Sequence, residues 1–138
     1  MQRVVVGVDG SDSAQDALRW ALDEARLRQA NVEVVQAWHT PYASYSPMNP
    51  YPADSELFEG DARQALDAAI DGADTSGLPS PVARVLVFGG ASGAILEAAK
   101  GADLVVVGSR GLGSFTGLLL GSVSQQVAHH ASCPVVVV

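Results

Sequence analysis

The chain has 138 residues, of which 48% are hydrophobic, and a formal net charge of −7. This length and composition are typical of one folded globular domain and argue against a disordered chain. The acidic balance argues against a duplex-binding surface, because nucleic-acid affinity depends largely on Lys and Arg. The longest apolar runs are too short to cross a bilayer. We expect one domain over residues 1–138, with neither a nucleic acid nor a membrane as partner.

Cysteine usage and the N-terminal residues bear on the compartment. A single cysteine, Cys133, allows no internal disulfide, which fits a reducing compartment. The chain begins directly with an apolar strand pattern, without a basic leader and an apolar segment after it. We therefore expect a cytoplasmic protein.

Strand and helix patterns alternate along the first part of the chain. Val4–Val8 is an apolar, β-branched run, typical of a strand buried on both faces. Residues 9–13 form a turn with several possible N-caps, and residues 32–38 are a second predicted strand. Between them, apolar residues recur with the helical period and predict one stripe of an amphipathic helix: Ala14, Ala17, Leu18, Ala21, Leu22 and Ala25.

Residues 39–54 interrupt this alternation. They contain every tyrosine of the chain and four prolines. An aperiodic segment of this length is unusual in a compact domain and often functional or mobile. The sequence leaves open whether it is a lid over a ligand or a variable surface excursion. A helix resumes near Ser55, with a stripe of Phe58, Ala62, Ala65, Leu66, Ala69 and Ile70.

The second half of the chain continues the alternation. We predict strands at residues 82–88, Leu104–Val107 and Cys133–Val138, with a short helix around Ile95 and a last helix over residues 122–131. Strands that alternate with helices favour a parallel sheet with helices on both faces and right-handed crossovers.

The segment Gly108–Ser124 lies between the fourth strand and the last helix. Ser122 and Gln125 have the spacing of a capping box that opens a helix. A strand, a glycine-bearing loop and a helix start direct backbone N–H groups to one point, where a phosphate is the natural occupant. The alternative is a plain turn with Ser122 as its helix cap.

Three informative places fall at the carboxyl edge of the predicted sheet, where ligands bind in such folds. They are Asp9 after the first strand, residues 37–39 after the second, and the segment Gly108–Ser124 after the fourth. Their coincidence favours the phosphate interpretation. Asp9 is also a possible N-cap of the first helix, and both interpretations stay open at this point.

The spacing of these glycines distinguishes between nucleotide motifs. The sequence contains no Gly-x-x-x-x-Gly-Lys-[Ser/Thr] and no dinucleotide fingerprint after the first strand. It does contain Gly108-x2-Gly111-x9-Gly121-Ser122, an opening Val-Gly-Val-Asp-Gly-Ser and a closing Cys-Pro-Val-Val-Val-Val. With these motifs the chain, from about Val4 to Val138, resembles the universal stress protein family and in particular its ATP-binding branch.

The resemblance implies a three-layer, Rossmann-like α/β sandwich of the adenine nucleotide alpha hydrolase type, with a five-stranded parallel sheet in the order 3-2-1-4-5. It also implies a homodimer that pairs through the C-terminal strand, and ATP with Mg²⁺ as the ligand. Asp9 would contact the ribose or adenine, and the backbone at Ala37 the adenine edge. The phosphates would be held by Gly108, Gly111, Gly121, Ser122 and Ser124, and the site would be completed by Gly7, Val8, Val107, Arg110 and Val123. Arg110 occupies a variable position of the motif.

The resemblance predicts a non-enzymatic, ATP-binding regulator of the stress response with an unidentified protein partner. The alternatives are a slow ATPase or autokinase, a nucleotide-free interaction module and, more distantly, a flavodoxin-like FMN carrier. We predict no catalytic residue and no metal-binding residue. His129 and His130 are adjacent on a predicted helix and point about 100° apart, which does not suit a metal pair. Cys133 is expected to be a small core residue.

Overall fold

The computed structural model describes residues 2–40, 55–111 and 120–138. The predicted lid or excursion at residues 39–54 lies outside the described residues from position 41 onward. None of the helices in the described part of the chain is long and apolar enough to span a bilayer. The alternation of strands and helices is confirmed, in the order β1 Arg3–Val8, α1 Asp12–Arg28, β2 Asn31–Trp38, α2 Ser55–Asp71, β3 Ala83–Phe88, α3 Ala91–Ala99, β4 Leu104–Val107, α4 Ser122–His130 and β5 Val135–Val137.

The five strands form one parallel sheet in the order β3-β2-β1-β4-β5, which confirms the topology implied by the resemblance. β1 is central and pairs with β2 on one side and β4 on the other. The chain therefore leaves β1 towards β2 and later returns on the opposite side as β4. The connections diverge at the carboxyl ends of β1 and β4, and in parallel sheets this divergence opens a crevice for a ligand.

Helices cover both faces of the sheet, so the fold has three layers. Val4 and Val6 of β1 pack with α1 and α2, whereas Val5 between them packs with α3 and α4. This alternation follows from the two-residue period of a strand. β3 and β4 are separated in the sheet by β2 and β1, so the crossover that contains α3 passes over these two central strands.

α1 confirms the predicted apolar stripe, because all six of its residues are buried. Leu18 and Leu22 are its largest members, and burying such a side chain contributes about 1.5–3 kcal/mol. Ser11 is the N-cap, and its Oγ accepts a hydrogen bond from the Ala14 amide at 3.2 Å. The cap and the buried stripe together fix the start of α1 at the carboxyl edge of β1.

β5 is shorter than the predicted strand Cys133–Val138. Pro134 has no N–H group to donate to a strand ladder, although its carbonyl accepts the Val105 amide at 3.0 Å. At the other end the Val138 amide donates to the Val107 carbonyl at 2.9 Å. The backbone pairing with β4 thus continues one residue beyond each end of β5.

Candidate functional site

A cleft of about 230 Å³ opens at the carboxyl edge of the sheet, next to the ends of β1 and β4. Its walls come from the ends of these two strands, from Gly108, Arg110 and Gly111 after β4, and from the starts of α1, α3 and α4. The structure brings all the residues of the predicted ATP site to this cleft except Ala37: Gly7, Val8, Asp9, Val107, Gly108, Arg110, Gly111, Gly121, Ser122, Val123 and Ser124.

Ala37 lies elsewhere in the sheet. It is a residue of β2, pairs with Val87 of β3 and packs against the core between the sheet and helices α3 and α4. Ala37 is not among the residues that line the cleft. Its contact with adenine, which the family resemblance implies, stays a prediction.

The start of α4 forms one wall of the cleft, and the predicted capping box there is wrong. Gly121, rather than Ser122, is the N-cap, with extended backbone angles of φ −75° and ψ 171°. The side chain of Gln125 donates to the carbonyl of Leu120 at 3.4 Å. Because glycine has no side-chain acceptor, the N-cap leaves the first amides of α4 without the usual cap. Such amides, at the positive end of a helix, are suited to an anion.

Backbone hydrogen bonds of Ser109 connect the loop after β4 to the C-terminal residue and to the start of α4. Its amide donates to the carbonyl of Val138 at 2.7 Å, and its carbonyl accepts the Gly121 amide at 2.6 Å. The hydroxyl of Ser124, a residue that is 2% exposed, donates to the Gly121 carbonyl at 2.9 Å and lies 3.3 Å from the Ser109 carbonyl. The Gly121 amide and the Ser124 hydroxyl thus hold the loop against α4. The phosphate contacts predicted for these two residues stay a prediction.

Two glycines of the motif permit close packing between elements. A Cβ on Gly108 would lie 2.5 Å from Oγ of Ser13 and 2.7 Å from its carbonyl carbon, so only glycine lets β4 end this close to α1. A Cβ on Gly7 would lie 2.4 Å from Cδ1 of Ile95, which packs over β1 from α3. Both residues build the walls of the cleft, a role that the sequence motif did not reveal.

Asp9 follows β1 and is half-buried. Its Oδ1 accepts a hydrogen bond from the Ser11 amide at 2.9 Å. Because Ser11 provides the cap of α1, the alternative that Asp9 caps this helix is wrong. A Cβ on Gly111 would lie 3.0 Å from Oδ2 of Asp9, so this second oxygen faces the loop after β4. The carboxylate therefore holds the turn before α1 through Oδ1, while Oδ2 lies close to Gly111 on the opposite wall of the cleft.

Arg110 differs from the other cations of the protein. Each of the other seven Lys and Arg residues lies within 4.0 Å of a carboxylate: Arg3, Arg19, Arg26, Arg28, Arg63, Arg84 and Lys100. Arg110 has no ion-pair partner within residues 2–40, 55–111 and 120–138, and it is exposed at the cleft. Its amide donates to Oγ of Ser13 at 3.2 Å, which fixes the backbone from which the side chain extends.

Sequence reasoning missed four further residues of the cleft: Ala14, Ala91, Ile95 and Leu120. Ala91 and Ile95 belong to α3, whose crossover passes over β2 and β1 on its way to β4. The strand order could have indicated them, because any helix between β3 and β4 must pass beside the carboxyl end of β1. The side chains of Ala91 and Ile95 make the part of the cleft next to α3 apolar.

Other candidate groups lie away from the cleft. Burial raises the pKa of the Cys133 thiol, which packs at the edge of the core, so the thiol is protonated near neutral pH. The rings of His129 and His130 are 6.4 Å apart at the end of α4. In the described parts of the chain, no group of three or more His, Cys, Asp and Glu side chains is arranged to hold a metal ion.

Comparison with known sequences gives consistent results. The sequence model of the "Universal stress protein family" matches residues 1–138. A universal stress protein of Mycobacterium tuberculosis is 33% identical over an alignment of 138 positions, which covers 98% of this chain and 46% of that protein. One of Mycolicibacterium smegmatis is 36% identical over an alignment of 148 positions, which covers 98% of this chain and 47% of that protein. The chain therefore spans about half the length of the curated relatives it matches.

Comparison with solved structures agrees. Universal stress protein UspA from Lactobacillus plantarum has a TM-score of 0.80 at 28% identity, over 99% of this chain and 97% of that one. A universal stress protein solved in complex with cAMP has a TM-score of 0.72 at 32% identity, over 99% and 96% of the two chains. The fold found here is thus the fold of these proteins.

Proposed function

This chain belongs to the universal stress protein family, and on that premise we propose that it binds ATP in the cleft and acts as a nucleotide-dependent regulator of the stress response. One observation carries the proposal. The three spaced glycines of the motif, Gly108, Gly111 and Gly121, line a single cleft together with Ser122, and one wall of it is a helix start whose N-cap has no side chain.

The phosphates would lie against the start of α4. The amides of Ser122 and Val123 belong to its first turn, and the exposed Ser122 hydroxyl adds a donor. Hydrogen bonds from helix N-terminal amides to an anion are strengthened by the helix dipole. Arg110 also lines the cleft, and its guanidinium would add a positive charge for the phosphates. These groups bind phosphate without any need for a P-loop lysine.

The nucleoside would lie at the end of the cleft towards Ile95 and Val107, where the lining is apolar. Apolar walls with a few polar groups are typical of small-molecule sites. Asp9 lines the cleft, and its Oδ2, close to Gly111, would accept a hydrogen bond from a ribose hydroxyl or help to hold Mg²⁺. The relative solved with cAMP, at 32% identity, supports an adenine nucleotide as the ligand class.

A slow ATPase or autokinase is the second candidate, favoured by the exposed Ser122 hydroxyl next to the proposed phosphate position. Asp9 is the one acidic residue among the described residues that line the cleft. A single carboxylate, already engaged with the Ser11 amide, provides little for activating a nucleophile while also holding a metal ion. We therefore propose binding, rather than turnover, as the principal activity.

Assembly and location are part of the same proposal. β5 is an edge strand of the sheet, and all its valines are only half-buried. An uncovered apolar edge favours pairing with another chain, so we propose a homodimer through β5, with residues 1–138 as one domain of each subunit. We further propose a cytoplasmic location and an unidentified regulatory protein partner, with no nucleic acid or membrane bound.

Native mass spectrometry of the purified protein tests this function. We expect ATP either to co-purify or to add its mass when supplied, and to persist during long incubation with Mg²⁺. Rapid release of ADP would favour the enzyme over the regulator. Absence of any adenine nucleotide adduct at millimolar ATP would reject both and leave the nucleotide-free interaction module.

A further inference from the structure

Arg110 is held by its backbone while its charge is left uncompensated by the described residues. Its amide donates to Ser13, and the preceding residue, Ser109, is bonded through both its amide and its carbonyl. A Cβ on Gly121 would lie 3.5 Å from the Cα of Arg110, so the arginine leaves the backbone beside the N-cap of α4. The backbone that carries this uncompensated cation is therefore a neighbour of the positive end of α4.

The charges around the cleft make this arginine important for a polyanion. The protein carries a net charge of −7, and Asp9 brings a negative charge to the cleft itself. Only the first few amides of α4 are free to donate to a ligand, and these amides carry no net charge. Arg110 is the only Lys or Arg among the described lining residues. Each additional phosphate on a nucleotide adds negative charge, which the amides of a single helix start cannot fully compensate.

We propose that Arg110 is a specificity-determining residue that makes the site favour nucleotides with longer phosphate chains over the monophosphate. This inference rests on the proposed nucleotide binding at the same cleft. The amides of α4 bind the phosphate group that all the nucleotides share. Arg110 binds the phosphates beyond it, with the bidentate geometry that distinguishes guanidinium from ammonium.

Calorimetric titration with AMP, ADP and ATP, without divalent cations, tests the proposal on the wild type and on Arg110→Ala. The substitution keeps the amide that donates to Ser13, so the loop should keep its position. We expect wild-type affinity to rise from AMP to ATP. In Arg110→Ala the affinity for ATP should fall roughly 10- to 100-fold, the range for a lost charge-assisted hydrogen bond, and that for AMP much less. Arg110→Lys, which keeps the charge but loses the fork, should give an intermediate ratio of affinities.

Arg63→Ala is the matched control, because it removes the same charge from α2, where Arg63 is paired with Glu59. We expect it to keep the wild-type ratio of ATP to AMP affinity. An unchanged ratio in Arg110→Ala, or an equal loss for both nucleotides, would overturn the assignment of Arg110 while nucleotide binding itself stands. A wild type that binds none of the three nucleotides would reject the proposed function, and this inference with it.

Discussion

The charged side chains at the amino ends of the strands are paired within the protein, whereas a cation at the carboxyl ends is not paired with any described carboxylate. At the amino edge, the guanidinium of Arg3 donates to Glu33 at 3.0 Å and to the carbonyls of Ala98 and Lys100 at 3.1 and 2.6 Å. Asp103 there accepts the amides of Gln2 and Arg3 at 2.8 and 2.9 Å. At the carboxyl edge, Arg110 has no described carboxylate partner.

Arg3 and Asp103 thus have a structural role, because their charges hold elements of the fold together. The charge of Arg110 is available to a ligand. The contacts at the amino edge tie β1 to β2 and to the connection between α3 and β4, and they leave its arginine fully engaged. The carboxyl edge combines an uncompensated cation with a helix start that has a glycine cap. Helix-start amides without a side-chain cap favour an anion, and a cation at the same site adds to that preference. Substitutions at the two ends of the strands test this contrast.

Gly108→Ala should damage the fold itself. The added methyl group would lie 2.7 and 2.8 Å from the carbonyl carbon and oxygen of Ser13, atoms of a helix backbone that cannot move independently. Overpacking of this kind costs about 3 kcal/mol. Urea denaturation should show a fall of this size in the free energy of unfolding. A stability close to that of the wild type would show that the contact between α1 and the end of β4 is not tight.

Gly121→Ala should impair binding but leave the fold intact. Its added methyl group would meet the nearest atoms at 3.5 Å, an ordinary contact, and its φ of −75° suits alanine. One of these atoms is the Gly111 nitrogen, so the methyl group would hinder a phosphate from reaching that amide. We expect ATP affinity to fall roughly 10- to 100-fold, as for a lost hydrogen bond to a charged group, with an unchanged far-UV circular dichroism spectrum. Unfolding of this variant would indicate a purely structural turn.

Asp103→Asn should have the smallest effect and should affect only the amino edge. The amides of Gln2 and then Arg3 lower the pKa of Asp103 below its ordinary value of 3.8. A carboxylate with a lowered pKa in the folded state contributes stability above its unfolded pKa and loses it as the pH falls through the folded pKa. The wild type should therefore lose a small part of its stability below about pH 4, and Asp103→Asn should not show this part. ATP affinity at neutral pH should be equal in the two proteins.

The sequence predicted much of the fold because the relevant information is local. The run Val4–Val8 has the period and composition of a buried strand, and the stripe from Ala14 to Ala25 has that of a helix. The strand order came from the family resemblance rather than from any local pattern. The position of the cleft followed from the rule that ligands bind at the carboxyl edge, to which Asp9 and Gly108 both belong.

Other features depend on distances between parts of the chain that are remote in sequence. Gly121 and Ser122 are both acceptable N-caps by residue type. In the structure Gly121 is the N-cap, and its amide donates to the carbonyl of Ser109, which is remote in sequence. The packing of Ser13 on Gly108, and of Ile95 on Gly7, depends on how closely helices approach the sheet. No local pattern encodes that separation, so the sequence identified these glycines but not what they touch.

Amide NMR spectra recorded during an ATP titration show directly whether the nucleotide binds at the carboxyl ends of the strands. We expect the largest shifts at Gly111, Ser122 and Val123, at the carboxyl edge, whereas Arg3 and Asp103 at the amino edge stay unchanged. Saturable binding that leaves the amides of Ser122 and Val123 unperturbed, or that shifts mainly the amino edge, would contradict it.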